Sequence, residues 1–164
     1  MILKELENHF GEKVSVRRLS ELYPDYNIDV NAEQQALLDA DVVLFQYPTF
    51  WFNVPSILQK WLESVWLYGF AYGEGGDKLH GKKLLVSTTT GSVADTYDGQ
   101  IVATMDDLVK PVKHSALYTG CEWQGVYPLH GALYLAGVHD ENYLAKVQAN
   151  AKAHAKTLIE KLKN

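Results

Sequence analysis

Three large aromatics in succession, Phe50, Trp51 and Phe52, follow Tyr47-Pro48-Thr49 and precede Asn53. A single ring at such a place would most simply cap a core. Three in a row cannot all point inward, so at least one faces a ligand or a partner subunit. Flat apolar faces suit a flat aromatic ligand better than a sugar or a phosphate. A second stretch, Thr88-Thr89-Thr90-Gly91-Ser92, offers hydroxyls and backbone N–H groups, and Gly91 lets a ligand approach the main chain closely. Taken alone it reads as an ordinary strand-to-helix turn. Tyr97, five residues on, adds a phenol that can donate toward negative charge developing on a bound ring.

These stretches need a scaffold that brings them together. Val42 to Phe45 is a short apolar run with β-branched residues, the pattern of a strand covered on both faces, and Tyr47-Pro48 closes it. Asn53 is an expected helix N-cap with Pro55 in the first turn. Ile57, Leu58, Trp61, Leu62, Val65 and Trp66 then recur at helical spacing. Leu84 to Thr88 is a second buried strand, so both candidate loops lie at strand carboxyl ends, where open α/β sheets bind ligands. Stacking rings plus edge-directed donors match the faces and polar edge of an isoalloxazine.

Elsewhere, Ile2 to Phe10 predicts a helix closed by Gly11, and Lys13 to Leu19 alternates like an edge strand. Glu21 to Val30 predicts a loop with a turn at Pro24-Asp25, and Asp29 or Asn31 caps a short helix. Leu67 to Asp77 packs four glycines and three aromatics into eleven residues, a shaped loop. It serves either as a lid on its own subunit or as a reach toward a second one. Ile101 to Thr119 predicts helix interrupted at Pro111. A last strand lies within Glu122 to Leu129, and Asp140 caps a final helix striped by Leu144, Val147, Ala151, Ala155, Leu158 and Leu162. Strands alternating with helices imply a mostly parallel sheet.

The 164 residues suit one domain, 1–164. A net charge of −5 argues against nucleic acid or an anionic membrane as the main partner. The single cysteine, Cys121, excludes an internal disulfide and fits a reducing cytoplasm. Neither a signal-peptide pattern nor a membrane-spanning apolar run occurs. The six histidines lack metal-ligand spacing and are expected largely at the surface. A Gly-x-Ser-x-Gly elbow and a Lys-Ser/Thr phosphate loop are absent, and Cys121 reads as inert.

Six segments in family order resemble the flavodoxin-like NAD(P)H:quinone oxidoreductases: Leu22 to Asp29, Gln46 to Trp51, Pro55 to Trp61, Tyr68 to Gly73, Leu79 to Lys82, and Thr89 to Gly91. The similarity is strongest to the bacterial branch of general stress proteins and ancillary subunits of glutathione-gated potassium efflux systems. The resemblance implies a flavodoxin-like open parallel sheet flanked by helices. It also implies a cytoplasmic homodimer that carries FMN (or FAD) and moves two electrons from NAD(P)H to a quinone or related electrophile in ping-pong order. By the same match Pro48, Thr49, Phe50, Trp51 and Phe52 line the flavin ring, and Thr89, Thr90, Gly91 and Ser92 meet its polar edge. Tyr97 lies near N1 and O2, while Trp51, Phe70 and Tyr72 face the substrate, and Tyr97 and Tyr72 are the catalytic candidates. The alternative is a regulatory subunit docked on a membrane potassium-efflux antiporter.

Two departures accompany the match. The mammalian quinone reductase has a histidine six residues past its counterpart of Tyr97, and that position falls near Ala103. The family also opens with a strand and an Ala-His-Pro…Ser loop for the flavin phosphate, and neither precedes the first helix here. The expectation is therefore a fold with its first strand missing, through an incomplete N-terminus or, alternatively, a degenerate paralogue whose Lys13–Leu19 strand has moved inward.

Overall fold

The computed structural model describes residues 1–163. Three parallel strands, β1 (Val42–Pro48), β2 (Lys83–Thr89) and β3 (Glu122–Leu129), lie side by side in chain order. Register is continuous along β1 and β2, with Val42 beside Lys83 and Pro48 beside Thr89, so the two strands end level. β3 keeps step with β2 from Val86–Val126 to Thr89–Leu129 after an irregularity near Leu84. All three chains therefore leave the sheet at the same edge, and their loops meet there.

Alternation of side chains gives the sheet two apolar faces. On one, Phe45, Tyr47, Leu84 and Val86 pack against α3 (Val30–Leu38), α4 (Ser56–Val65) and α6 (Lys110–Tyr118) through Leu37, Leu58, Trp61, Val65, Val112 and Ala116. On the other, Leu44, Tyr127 and Leu129 meet α1 (Ile2–Phe10) and α7 (Glu141–Leu162), which contribute Ile2, Leu6, Ala151, Ala155 and Leu158. Asp29 and Asp140 cap α3 and α7 as expected, each accepting a backbone N–H in the first turn at 3.0 and 2.8 Å. No helix among the described residues is long and apolar enough to cross a membrane.

Three local expectations are corrected. Lys13–Leu19 forms no strand, neither at an edge nor moved inward. A 3-10 turn covers Gly11–Lys13, and α2 (Leu19–Leu22) begins at Leu19. The segment between is tied by side chains: the Arg17 guanidinium donates twice to Glu33 at 2.9 and 2.6 Å, and Arg18 grips Glu7 of α1 at 3.0 Å. α4 begins at Ser56, with Pro55 in the cap position and Asn53 outside it. Between Ile101 and Thr119 helix begins only at α5 (Met105–Leu108), and the break falls at Val109, where α6 starts with Pro111 in its first turn.

Glu33 is the buried hub of the α3–α4 side. Its carboxylate is 1% exposed and accepts from Arg17, from the Tyr23 hydroxyl at 2.6 Å and from the Trp61 indole N–H at 2.8 Å. A buried carboxylate is tolerated only with its oxygens satisfied, and here four donor bonds do so.

Candidate active site at the carboxyl ends of the strands

β1 passes into the aromatic stretch through a continuation of the ladder. The Thr49 N–H donates to the Thr89 carbonyl at 2.8 Å, and the Thr49 and Thr88 hydroxyls share a hydrogen bond at 2.7 Å. Phe50 and Asn53 then exchange both backbone bonds at 3.0 Å, closing a two-residue turn around Trp51 and Phe52. Both central residues have positive φ, 48° at Trp51 and 64° at Phe52, which is the type I′ pattern normally given to Asn and Gly. Two bulky aromatics in left-handed conformations carry strain, and such strain clusters at ligand sites. The turn presents its rings outward: Trp51 is 94% exposed, with Phe50 and Phe52 also exposed.

The loop after β2 lies beside this turn. Thr90 is buried, its N–H donates to the Leu129 carbonyl at 3.0 Å, and its hydroxyl donates to the Ser92 carbonyl at 2.9 Å. Gly91 and Ser92 are exposed, and their own N–H groups find no acceptor among the described residues. A Cβ at Gly91 would touch Leu133 at 3.4 Å. Tyr97 closes a 3-10 turn (Ala94–Tyr97) and is half-buried.

Sequence reasoning missed the third loop, His130 to Asp140. The Gly131 N–H donates to Ser92 at 2.9 Å and the Ala132 N–H to Thr90 at 2.8 Å, so this loop buttresses the second. The His130 Nδ1 lies 2.9 Å from the Thr90 hydroxyl, and its ring packs on Tyr97 with centroids 5.1 Å apart. Burial lowers the His130 pKa. The signal available was His130-Gly131 at the end of β3, at the same edge as both other loops.

Tyr72 and Phe70 belong to a separate loop. Phe70 is buried in the core, whereas Tyr72 is exposed and packs on Tyr68 and Tyr118, centroids 5.9 and 6.2 Å away. Tyr72 opens onto a groove of about 340 Å³ that Asn53, Leu62, Trp66, Leu108 and Tyr118 also line, so the groove runs back to the aromatic turn. Gly76 is required in this loop, because a Cβ there would overlap the Tyr72 backbone.

Other reactive groups are occupied structurally. Cys121 is buried and its thiol is pushed up by burial, which outweighs the opposing influence of Thr119 and Lys82. The Tyr47 phenol is pushed up to about 12 by burial, so it stays protonated and neutral. His9, His80 and His114 are exposed as expected. His154, however, is buried, its Nε2 2.7 Å from the Ser87 hydroxyl. No group of three or more His, Cys, Asp or Glu is placed to hold a metal among the described residues.

A parallel open sheet with helices on both faces and a loop site at its carboxyl edge defines a flavodoxin-like α/β protein. A family model described as "Flavodoxin-like fold" matches residues 1–155, and the chain belongs to this family, which includes the quinone reductases. General stress protein 14 of Treponema denticola, in complex with FMN, is 26% identical with a TM-score of 0.84, over 98% of this chain and 88% of that one. A thermophilic tryptophan halogenase from Streptomycin violaceusniger is 27% identical with a TM-score of 0.76, over 94% and 90%. An NAD(P)H:quinone oxidoreductase from Methanothermobacter marburgensis shares the fold at 19% identity and a TM-score of 0.61, over 96% and 90%.

Proposed function

We propose that this protein is a flavin-dependent NAD(P)H:quinone oxidoreductase that uses FMN, working on quinones or related electrophiles. The observation that carries the reading is the convergence, at one sheet edge, of a strained and exposed aromatic turn with a loop whose Gly91 and Ser92 N–H groups have no acceptor among the described residues. The stress protein with FMN bound, alike over nearly the whole chain, supports FMN as the flavin. When bound, a flavin supplies two-electron hydride exchange between a nicotinamide and a quinone, the two substrates using one face in turn.

The residues present fit such a ring. Pro48, Thr49, Phe50, Trp51 and Phe52 would line its faces, and the N–H groups of Gly91 and Ser92 would meet its polar edge, with Thr89 and Thr90 shaping that loop. Tyr97, whose phenol is not engaged among the described residues, would donate toward negative charge beside the ring. Trp51 would also wall the substrate pocket, and Tyr72, on the groove that reaches Asn53, would close it. Phe70 would anchor the Tyr72 loop from the core. This site would be shared in a homodimer, the Tyr72 loop of one subunit covering the other subunit's pocket.

The test is steady-state kinetics of FMN-loaded protein with NADPH and menadione. Parallel double-reciprocal lines are expected. Intersecting lines would overturn the alternating use of one face, and absence of turnover would overturn the oxidoreductase reading.

A further inference from the structure

The Thr90 hydroxyl has one proton, and it is spent on the Ser92 carbonyl, which can only accept. Its contact with His130 at 2.9 Å is satisfied at the same time when the imidazole Nδ1–H donates to the Thr90 oxygen. In that arrangement the neutral imidazole carries its proton on Nδ1 and its lone pair on Nε2. The same ring packs on Tyr97 at an interplanar angle of 33°. One histidine thus braces the donor loop and the phenol together, from a strand whose loop also supports Ser92 through the Gly131 N–H.

We propose that His130 is a positioning residue of the cofactor site, which fixes Thr90 and Tyr97 through its Nδ1–H and ring and holds a proton on Nε2 when negative charge arrives there. This deepens the flavin reading and rests on it. From the elements packed on the ring, Tyr97 is the titratable group that faces it, Thr90 is neutral, and burial is what acts on its titration. Burial thus favours the neutral imidazole at His130, and a nearby anion would favour the charged one. No histidine stands near Ala103, and His130 lies directly after β3, 33 residues past Tyr97 in the chain.

Two measurements test this. In flavin-free protein labelled with ¹⁵N-histidine, the His130 resonance, assigned by its loss in His130→Gln, should show the Nδ1-protonated tautomer. Thr90→Val should release that preference. An Nε2-protonated tautomer in the wild type would overturn the assignment. In FMN-loaded protein, the midpoint potential plotted against pH should change slope where His130 titrates. His130→Gln should lose that break and lie at lower potential below it, with circular dichroism confirming its fold. If His130→Gln does not fold, His130→Asn takes its place in both arms. Identical slopes in wild type and variant would overturn the proton-holding role. Failure of wild-type protein to bind FMN would overturn the functional reading itself, and the tautomer measurement would then decide the bracing geometry alone.

Discussion

Trp51 and Phe52 sit where a hairpin turn ordinarily takes asparagine and glycine. The chain keeps two aromatics there at a cost, since a bulky residue at positive φ is strained by about 1 kcal/mol or more. Phe52→Gly should therefore raise stability by about 1 kcal/mol, seen as a melting temperature about 3 °C higher, while weakening FMN binding. A lower melting temperature would mean that the Phe52 ring, rather than the backbone, matters to the fold. Glu33 runs in the opposite direction. Replacing it with Gln leaves Arg17, Tyr23 and Trp61 competing for one neutral acceptor oxygen, so Glu33→Gln should cost about 2–3 kcal/mol. Arg17 is 35% exposed and can turn to water, which holds the loss to that range. Denaturant unfolding checks it, and a change under half a kcal/mol would refute the hub. The aromatic run was legible because composition alone betrays it. Glu33 was not, because its partners Arg17, Tyr23 and Trp61 lie 16, 10 and 28 residues away and nothing in their local pattern points to it.

At the scale of elements, β1 and β2 could be read because buried parallel strands are apolar runs, and both carry one, Val42–Phe45 and Leu84–Val86. The Lys13–Leu19 segment misled because alternation marks any extended chain. A strand also needs a neighbour's backbone, and here side-chain bonds to Glu33 and Glu7 hold the segment instead. The seam between α7 and β2 was equally hidden, since Ser87 and His154 are 67 residues apart. Burial lowers the His154 pKa below the usual 6.5. The unfolded chain titrates at the usual value, so below about pH 6.5 it binds more protons than the folded chain. The stabilisation is complete above that pH and is lost as pH falls toward the folded-state pKa. Melting temperature should therefore drop between pH 7 and 5, and His154→Gln should flatten that drop in part, with His130 supplying the remainder in the same direction. An unchanged profile in His154→Gln would show that α7 does not hold a neutral imidazole against the sheet.

At the scale of the molecule, the Tyr72 groove and its surroundings leave Tyr68, Leu117 and Tyr118 exposed by 66%, 50% and 75%. Aromatic surface of that kind is better covered than solvated. If the site is shared in a homodimer as proposed, Tyr118→Lys should shift sedimentation toward monomer. Mixing Tyr72→Ala with Trp51→Ala should restore turnover that each lacks alone, because hybrid dimers carry one intact site. A wild-type monomer that reduces quinones would assign the Tyr72 loop to its own subunit as a lid. The central claim, that the aromatic turn and the Thr90–Ser92 loop together hold a flavin ring, is tested most directly by titrating FMN into the purified protein and following flavin fluorescence. The account predicts quenching that saturates at one FMN per chain. It also predicts an affinity about tenfold weaker in Trp51→Ala, the equivalent of about 1.4 kcal/mol of lost stacking. Fluorescence that stays that of free FMN, or quenching with equal affinity in Trp51→Ala, would contradict it.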